Sequence, residues 1–159
     1  MNFASLDFDK EFMTLALEEA QHALSKDEVP IGAVIVKDGH VIARAHNLRE
    51  SWNDATGHAE ITAIKEACER LRNWRLMGCT IYVTMEPCPM CAGAMQQARI
   101  SRLVYGIADP KAGAAGSVMN VVDEPKMAHR LKITSGVEEE KCRELINIFF
   151  RRLRVRESG

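Results

Sequence analysis

Two short motifs in the middle of the chain supply three side chains that can bind one metal ion. Cys88 and Cys91 form a C-x-x-C pair, and His58 lies in an earlier segment with Glu60 two residues after it. Thiolate sulfur and imidazole nitrogen match the borderline-soft character and the tetrahedral preference of Zn²⁺. Three protein ligands rather than four are typical of a catalytic zinc site, which keeps one position for water. The sequence therefore predicts a catalytic zinc ion, with Glu60 placed to move protons without binding the metal.

Other uses of these cysteines are weaker interpretations. A C-x-x-C pair also occurs in thioredoxin-like redox proteins, but here a proline precedes Cys88 and a His-x-Glu motif opens a separate predicted helix. A closed structural zinc site needs a fourth ligand, and Cys79 is the obvious spare. Cys79 starts a strand that is predicted to run away from the metal. Cys68 and Cys142 fall on apolar helix faces, where cysteine usually fills the core.

Alternating helical and strand patterns predict a layered α/β domain. The predicted helices cover residues 7–25, 58–71, 91–98 and 137–152, with a short helical piece over 118–122. The predicted strands cover residues 31–36, 41–46, 79–84, 102–106 and 131–134. Asp38-Gly39 predicts a hairpin turn between the first two strands, because this pair supports positive φ angles. We expect Asp7 or Asp9 to cap the first helix and Thr56 to cap the second.

The composition is that of an ordinary globular protein. The 159 residues fit one domain over residues 1–159, with 47% hydrophobic and 27% charged residues. The sequence has no apolar run long enough to cross a bilayer and no basic-then-apolar leader, so we expect no membrane association. Five cysteines, an odd number without a signal peptide, argue against a disulfide framework. We therefore expect a cytoplasmic protein.

The charge is close to balanced but unevenly distributed. A net charge of −1 differs from the basic character that is common among nucleic-acid-binding proteins. Four arginines nevertheless cluster near the end of the chain, just after the acidic run 138–140. From the residues alone, this cluster is either a solvated helix tail or a small basic patch that binds phosphates. The clustered arginines are Arg151, Arg152, Arg154 and Arg156.

Several isolated residues allow more than one interpretation. Trp52 and Trp74 lie in polar segments, where packing as a loop anchor is favoured over stacking on a base. Asn47 ends a predicted strand, and the residues alone favour a turn residue that bonds its own backbone. The histidines without a motif are expected on the surface or in turns: His22, His40, His46 and His129.

The His-Ala-Glu and Pro-Cys-Pro-Met-Cys motifs resemble the signature of the zinc cytidine/deoxycytidylate deaminase superfamily. Over nearly the whole chain the sequence is similar to the bacterial tRNA-specific adenosine deaminases within that superfamily. The stretches that carry this resemblance are residues 28–34, Asn47, residues 84–95, residues 109–117 and residues 149–151.

The resemblance implies a fold and a reaction. The implied fold is a three-layer α/β/α architecture of the cytidine-deaminase type, with a central mixed sheet of about five strands. The implied reaction is zinc-dependent hydrolytic deamination of adenosine to inosine at the wobble position of a tRNA anticodon, with release of ammonia. Glu60 would take a proton from the water, deliver it to the ring nitrogen and help protonate the leaving amino group. The resemblance also implies a homodimer with one zinc ion per subunit and an arginine tRNA as substrate.

The resemblance further implies a set of substrate-binding residues, which are Asn47, Glu86, Asp109, Lys111, Phe149 and Arg151.

An anticodon loop is a suitable substrate, because an unstacked base enters a deep pocket at low cost. Two alternatives are a deaminase of free guanine, cytosine or a nucleoside, and a non-catalytic zinc module that binds RNA. The arginine cluster argues against the first, and Glu60 argues against the second.

Overall fold

The computed structural model describes the backbone of residues 3–159 and the side chains of residues 6–159. Within these residues the helices are α1 (Phe3–Ser25), α2 (Arg49–Trp52), α3 (Ala59–Leu71), α4 (Pro89–Gln97) and α5 (Glu139–Ser158). The strands are β1 (Gly32–Lys37), β2 (His40–His46), β3 (Cys79–Met85), β4 (Arg102–Ile107) and β5 (Lys132–Thr134).

The strands form one mixed sheet in the order β2-β1-β3-β4-β5. Strand β1 is antiparallel to β2 and β3, whereas β3, β4 and β5 run parallel. Helices α3 and α4 cover one face of the sheet, and α1 and α5 cover the other. The expected three-layer fold with a five-stranded mixed sheet is therefore confirmed.

The apolar character of the inner strands follows from burial on both faces. In β1, Ala33 and Ile35 join the core under α3 and α4, whereas Val34 and Val36 join the core under α1 and α5. Successive side chains of a strand point to opposite faces, so a strand between two helical layers must be apolar throughout. The turn at Asp38-Gly39 has positive φ angles at both residues, as the sequence predicts.

The parallel part of the sheet determines where functional residues gather. Strands β3 and β4 end side by side, with Met85 paired to Ile107. The loops that follow them, which begin at Glu86 and Ala108, therefore leave the same edge of the sheet. Loops at the carboxyl ends of parallel strands commonly form binding sites.

Two expectations about helix caps are wrong. Asp7 and Asp9 both lie inside α1 rather than at its start, and the Asp9 side chain is 3% exposed. The Asp9 carboxylate accepts hydrogen bonds from Arg102 at 2.8 and 2.6 Å and from the Tyr82 hydroxyl at 2.8 Å. Thr56 does not cap α3, because both its N–H and its hydroxyl donate to Asp54. His58 holds the N-cap position instead, without a side-chain cap bond.

The predicted helical piece over 118–122 is also wrong. This stretch folds back on the preceding loop, with a bridge between Ala115 and Asn120. The N–H groups of Val118 and Met119 both donate to the carbonyl of Gly113. Backbone donors bound to an earlier loop are not available for helical bonds.

Expectations for isolated side chains hold only in part. Trp52 and Trp74 are 52% and 54% exposed, so neither is a packed loop anchor. The Arg75 guanidinium lies 4.2 Å from the ring centroid of Trp74. The Trp74 ring therefore packs against a cationic side chain and not in the hydrophobic core. His46 and His129 are half-buried rather than free on the surface, and bond to Glu19 and to the Ile100 carbonyl. No described helix combines the length and the apolar composition that a bilayer crossing requires.

Candidate functional site

Two helix starts bring the three predicted metal ligands together. His58 holds the N-cap position of α3, and Cys88 holds that of α4. Cys91 lies in the first turn of α4, after Pro89 at a position where the fixed φ of proline suits a helix start. Because α3 and α4 pack on the same face of the sheet, their N-terminal ends meet.

The ligand atoms have the spacing of a tetrahedral metal centre. Nδ1 of His58 lies 3.6 Å from Sγ of Cys88 and 3.5 Å from Sγ of Cys91. With Zn–S near 2.3 Å and Zn–N near 2.0 Å, tetrahedral geometry separates neighbouring sulfur and nitrogen ligands by about 3.5 Å. Among the described residues, no other three His, Cys, Asp or Glu side chains come together in this way. The donor set and its spacing therefore fit a zinc ion.

Proton sharing within this group favours a thiolate. The hydrogen bond from Cys91 lowers the pKa of the Cys88 thiol to about 4, and His58 contributes to the same effect. Donating that bond, together with burial, raises the pKa of Cys91. The bond to Cys88 raises the pKa of His58. A metal ion would displace the shared protons, since thiolate and neutral imidazole are the forms that bind metal.

Glu60 is a buried carboxyl group beside the metal-binding group. It lies in the first turn of α3 and is 4% exposed. Burial raises the pKa of Glu60 to about 7, although the His58 charge acts in the opposite direction. A dication bound nearby would lower this pKa. Burial and a bound dication thus act on this carboxyl group in opposite directions, and such a group can accept a proton and later return it.

A cavity of about 430 Å³ opens next to this group. His58, Glu60 and Cys88 form part of its lining, and α5 contributes Ile146 and Phe150. This volume lies in the range of pockets that bind small ligands. The other lining residues are Val29, Ile31, Asn47, Arg49, Ala59, Met85, Glu86, Asp109, Pro110, Lys111 and Ala112.

Four of the six predicted substrate-binding residues line the cavity, and two do not. Asn47, Glu86, Asp109 and Lys111 are lining residues, as given above. Phe149 packs against the core on the α1 side of the sheet, whereas its neighbour Phe150 lines the cavity. Arg151 lines a separate groove of about 580 Å³ on the outer face of α5, which Phe150 also lines.

Glu86 organises the loop that follows β4. Its carboxylate accepts hydrogen bonds from the N–H groups of Asp109 at 3.0 Å, Ala115 at 3.0 Å and Ser117 at 3.1 Å. The hydroxyl of Ser117 donates to the same carboxylate. A Cβ atom at Gly113 would overlap this carboxylate, which explains a glycine at that position. Glu86 therefore shapes the wall of the cavity through residues 109–117.

Asn47 links two other walls of the cavity. Its Oδ1 accepts the N–H of Arg49 at 3.2 Å, and its Nδ2 donates to the Val29 carbonyl at 3.3 Å. The first bond is the local turn bond that the residues alone favour, and the second crosses to another segment.

Two residues of interest, Glu28 and Arg49, are not among the predicted site residues. Glu28 is fully buried, and its carboxylate accepts the N–H groups of Glu50 and Ser51. Arg49 lines the cavity through the short helix α2, which is not among the predicted helices. A charged residue in a polar stretch is usually solvated, so no local pattern distinguishes these two from surface residues.

Comparisons with known proteins place the chain among deaminases. The family of MafB19-like deaminases matches residues 8–154. The tRNA-specific adenosine deaminase of Bacillus subtilis is 49% identical over 151 residues, covering 95% of this chain and 94% of that protein. The tRNA-specific adenosine deaminase of Agrobacterium fabrum is 50% identical over 144 residues, covering 91% and 95%.

Solved structures show the same relationship. A structure from a study of A-to-I editing by tRNA:A34 deaminases at the wobble position of transfer RNA matches with a TM-score of 0.82. It is 50% identical and covers 85% of this chain and 98% of that chain. The guanine deaminase of Bacillus subtilis matches with a TM-score of 0.60 and 33% identity, covering 84% and 85%.

Proposed function

The chain belongs to the family of the tRNA-specific adenosine deaminases, and we propose that it converts adenosine to inosine at the wobble position of a tRNA anticodon, with release of ammonia. The proposal rests on one observation above all. A buried carboxyl group, Glu60, lies beside a His-Cys-Cys metal-binding group in the lining of a cavity of about 430 Å³. The choice of adenosine in tRNA rests on the similarity to the relatives described above, which extends over nearly the full length.

The metal in this proposal is one zinc ion per subunit, held by His58, Cys88 and Cys91. The ligand spacing of 3.5–3.6 Å and the soft donor set support zinc. When bound, zinc supplies the Lewis acidity that makes a water molecule nucleophilic near neutral pH.

Glu60 performs the proton transfers. Its carboxylate takes a proton from the water that attacks C6 of adenine and delivers it to the neighbouring ring nitrogen. It then takes the remaining proton from the hydroxyl group on C6 and gives it to the amino group. The bond from C6 to that nitrogen breaks as the C6 carbonyl forms, so that water and adenosine become inosine and ammonia. A carboxyl group whose burial raises its pKa toward neutrality suits both directions of transfer.

The residues proposed to serve substrate binding, directly or through a neighbour, are Asn47, Glu86, Asp109, Lys111, Phe149 and Arg151. Glu86 acts through the loop that it holds, since its oxygens are occupied by backbone and hydroxyl donors. Phe149 supports Phe150, whose ring centroid lies 5.4 Å away and which lines the cavity. Arg151, exposed on the outer face of α5, is suited to a phosphate beyond the cavity.

We further propose a homodimer of single-domain subunits over residues 1–159, in the cytoplasm, with an arginine tRNA as substrate. Met90, Val118 and Met119 are exposed apolar residues. They follow two segments that are joined by the hydrogen bond from the Ala114 N–H to the Pro87 carbonyl, and we propose that a second copy covers them. Light scattering should give twice the subunit mass of 17.8 kDa. A single-subunit mass at micromolar concentration would contradict the dimer.

One assay separates the proposed reaction from its alternatives. The zinc-loaded protein should form inosine in an arginine-tRNA anticodon stem-loop much faster than it deaminates free adenosine, cytidine or guanine. Faster deamination of a free base would instead indicate a small-molecule deaminase. No ammonia release from any substrate would leave only a zinc module that binds RNA.

Glu60→Gln is the matched test of the catalytic role. The variant should retain its zinc, because Glu60 is not one of the three ligands, and should lose activity by several orders of magnitude. Full activity of Glu60→Gln would exclude Glu60 from the proton transfers.

A further inference from the structure

The short helix α2 has no cap of its own. It spans only Arg49–Trp52, and the residue at its N-cap position, Leu48, has no side chain that can accept a hydrogen bond. The first N–H groups of a helix have no partner within the helix. Four residues are also too few to form a stable helix unaided. Something outside this segment must therefore hold α2.

Glu28 supplies the missing acceptor from another part of the chain. One carboxylate oxygen accepts the Glu50 N–H at 3.0 Å, and the other accepts the Ser51 N–H at 2.6 Å. Glu28 is fully buried, so these bonds do not compete with water. A negative charge at this end of a helix is also favourable electrostatically.

Glu28 remains charged at neutral pH. Burial alone would raise the pKa of Glu28, but the bonds with Ser51 and the backbone of Glu50 outweigh burial and hold it below its usual value. Glu28 does not itself line the cavity, and its carboxylate bonds connect it to α2.

The residue that α2 presents to the cavity is Arg49. Its side chain is 48% exposed, and its nearest ion-pair partner is the exposed Glu50 carboxylate at 3.8 Å. Such a pair is weak, so the guanidinium is available to a ligand. The N–H of Arg49 bonds to Asn47, and the N–H of Leu48 bonds to the Gly57 carbonyl at 3.0 Å. These bonds tie the start of α2 to Asn47, which also lines the cavity, and to Gly57.

We propose that Glu28 is a positioning residue, whose buried carboxylate caps α2 and thereby holds Arg49 against a phosphate of the RNA substrate. This inference rests on the proposed function, because it requires an RNA substrate. Guanidinium groups bind phosphate through paired, charge-assisted hydrogen bonds whose strength depends on orientation. A loosened α2 would leave the arginine present but badly oriented.

The test is a double-mutant cycle on the zinc-loaded protein. Values of kcat/KM for an anticodon stem-loop are measured for the wild type, Glu28→Gln, Arg49→Ala and the double variant. Each single substitution should lower kcat/KM by about tenfold to a hundredfold, the range expected for one charge-assisted hydrogen bond. On the Arg49→Ala background, Glu28→Gln should lower kcat/KM by no more than about twofold, because residues that act through one contact are not additive.

Two results would overturn the inference while leaving the proposed function intact. One is the same fall in kcat/KM for Glu28→Gln on both backgrounds, which is expected if Glu28 is only structural. The other is a folded Glu28→Gln variant with wild-type kcat/KM. A wild-type protein that forms no inosine would overturn both the inference and the proposed function.

Controls separate positioning from general loss of structure. Glu66→Gln makes the same chemical change at an exposed position of α3 and should leave kcat/KM unchanged. Zinc content and thermal unfolding are measured for every variant. If Glu28→Gln does not fold, Glu28→Asp replaces it on both backgrounds, since the shorter carboxylate keeps the charge but cannot reach both N–H groups. Coupling to Arg49→Ala is expected there too, and additive effects would again overturn the inference.

Discussion

Replacing Glu86 with glutamine should loosen residues 109–117 and destabilise the whole protein. The Glu86 side chain is 3% exposed, and its two oxygens accept three backbone N–H groups and one hydroxyl. Glutamine offers only one oxygen. Its amide nitrogen must therefore face at least one N–H donor that has no other acceptor, such as that of Asp109.

The size of the effect follows from this count of bonds. One buried N–H left without an acceptor costs about 1–3 kcal/mol. The two bonds that remain change from charge-assisted to neutral, at a cost of about 1 kcal/mol each. The free energy of unfolding should therefore fall by about 3–5 kcal/mol, and Tm by about 6–20 °C for a chain of this length.

Urea unfolding at pH 7 of the wild type and Glu86→Gln measures this difference. Glu66→Gln, the same change at an exposed site, should shift stability by less than about 0.5 kcal/mol. Acid provides a second measurement. Burial would raise the pKa of Glu86, but the bonds from Ser117 and the other loop donors outweigh it and lower the pKa below 4.5. The stabilisation is then complete above pH 4.5 and is lost as the pH falls through the lowered pKa.

The difference between wild type and Glu86→Gln should therefore shrink as the pH falls below 4.5. A difference under about 1 kcal/mol at pH 7, with equal denaturant slopes, would refute the reasoning, because one stranded donor alone should cost that much. A large difference that persists in strong acid would also refute it, since a protonated Glu86 offers little more than glutamine does.

Three further outcomes are expected. Gly113→Ala should raise the KM for an anticodon stem-loop, because its Cβ would displace the Glu86 carboxylate, and an unchanged KM would contradict this contact. Asp9→Ala should cost about 3–5 kcal/mol in calorimetry, because it leaves the Arg102 guanidinium without its buried partner. Removing Arg102 as well should recover part of this loss, and no recovery would argue against the ion pair. Cys88→Ser should lose zinc in elemental analysis, and full zinc content would exclude this cysteine as a ligand.

Short-range patterns were enough to predict most elements of the fold and the residues of the metal-binding group, but not α2 or the loop at residues 118–122. The Asp38-Gly39 turn and the apolar runs around it locate β1 and β2 within one or two residues, because turn chemistry and side-chain alternation act locally. His58, Cys88 and Cys91 are recognisable because the spacing of metal ligands is itself a sequence property. The structure brings their ligand atoms within 4.8 Å of one another, although they come from two different helices.

Only the tertiary structure decided which polar residues are buried and which ring faces the cavity. Phe149 and Phe150 are identical neighbours in the sequence, and the packing of α5 against the sheet puts Phe149 inside and Phe150 at the cavity. Asp9, expected as a helix cap, and Glu28, which lies in a polar stretch, are buried because their partners come from β4 and α2. A carboxylate is placed in a core by donors that lie far away along the chain, and no local pattern contains that information.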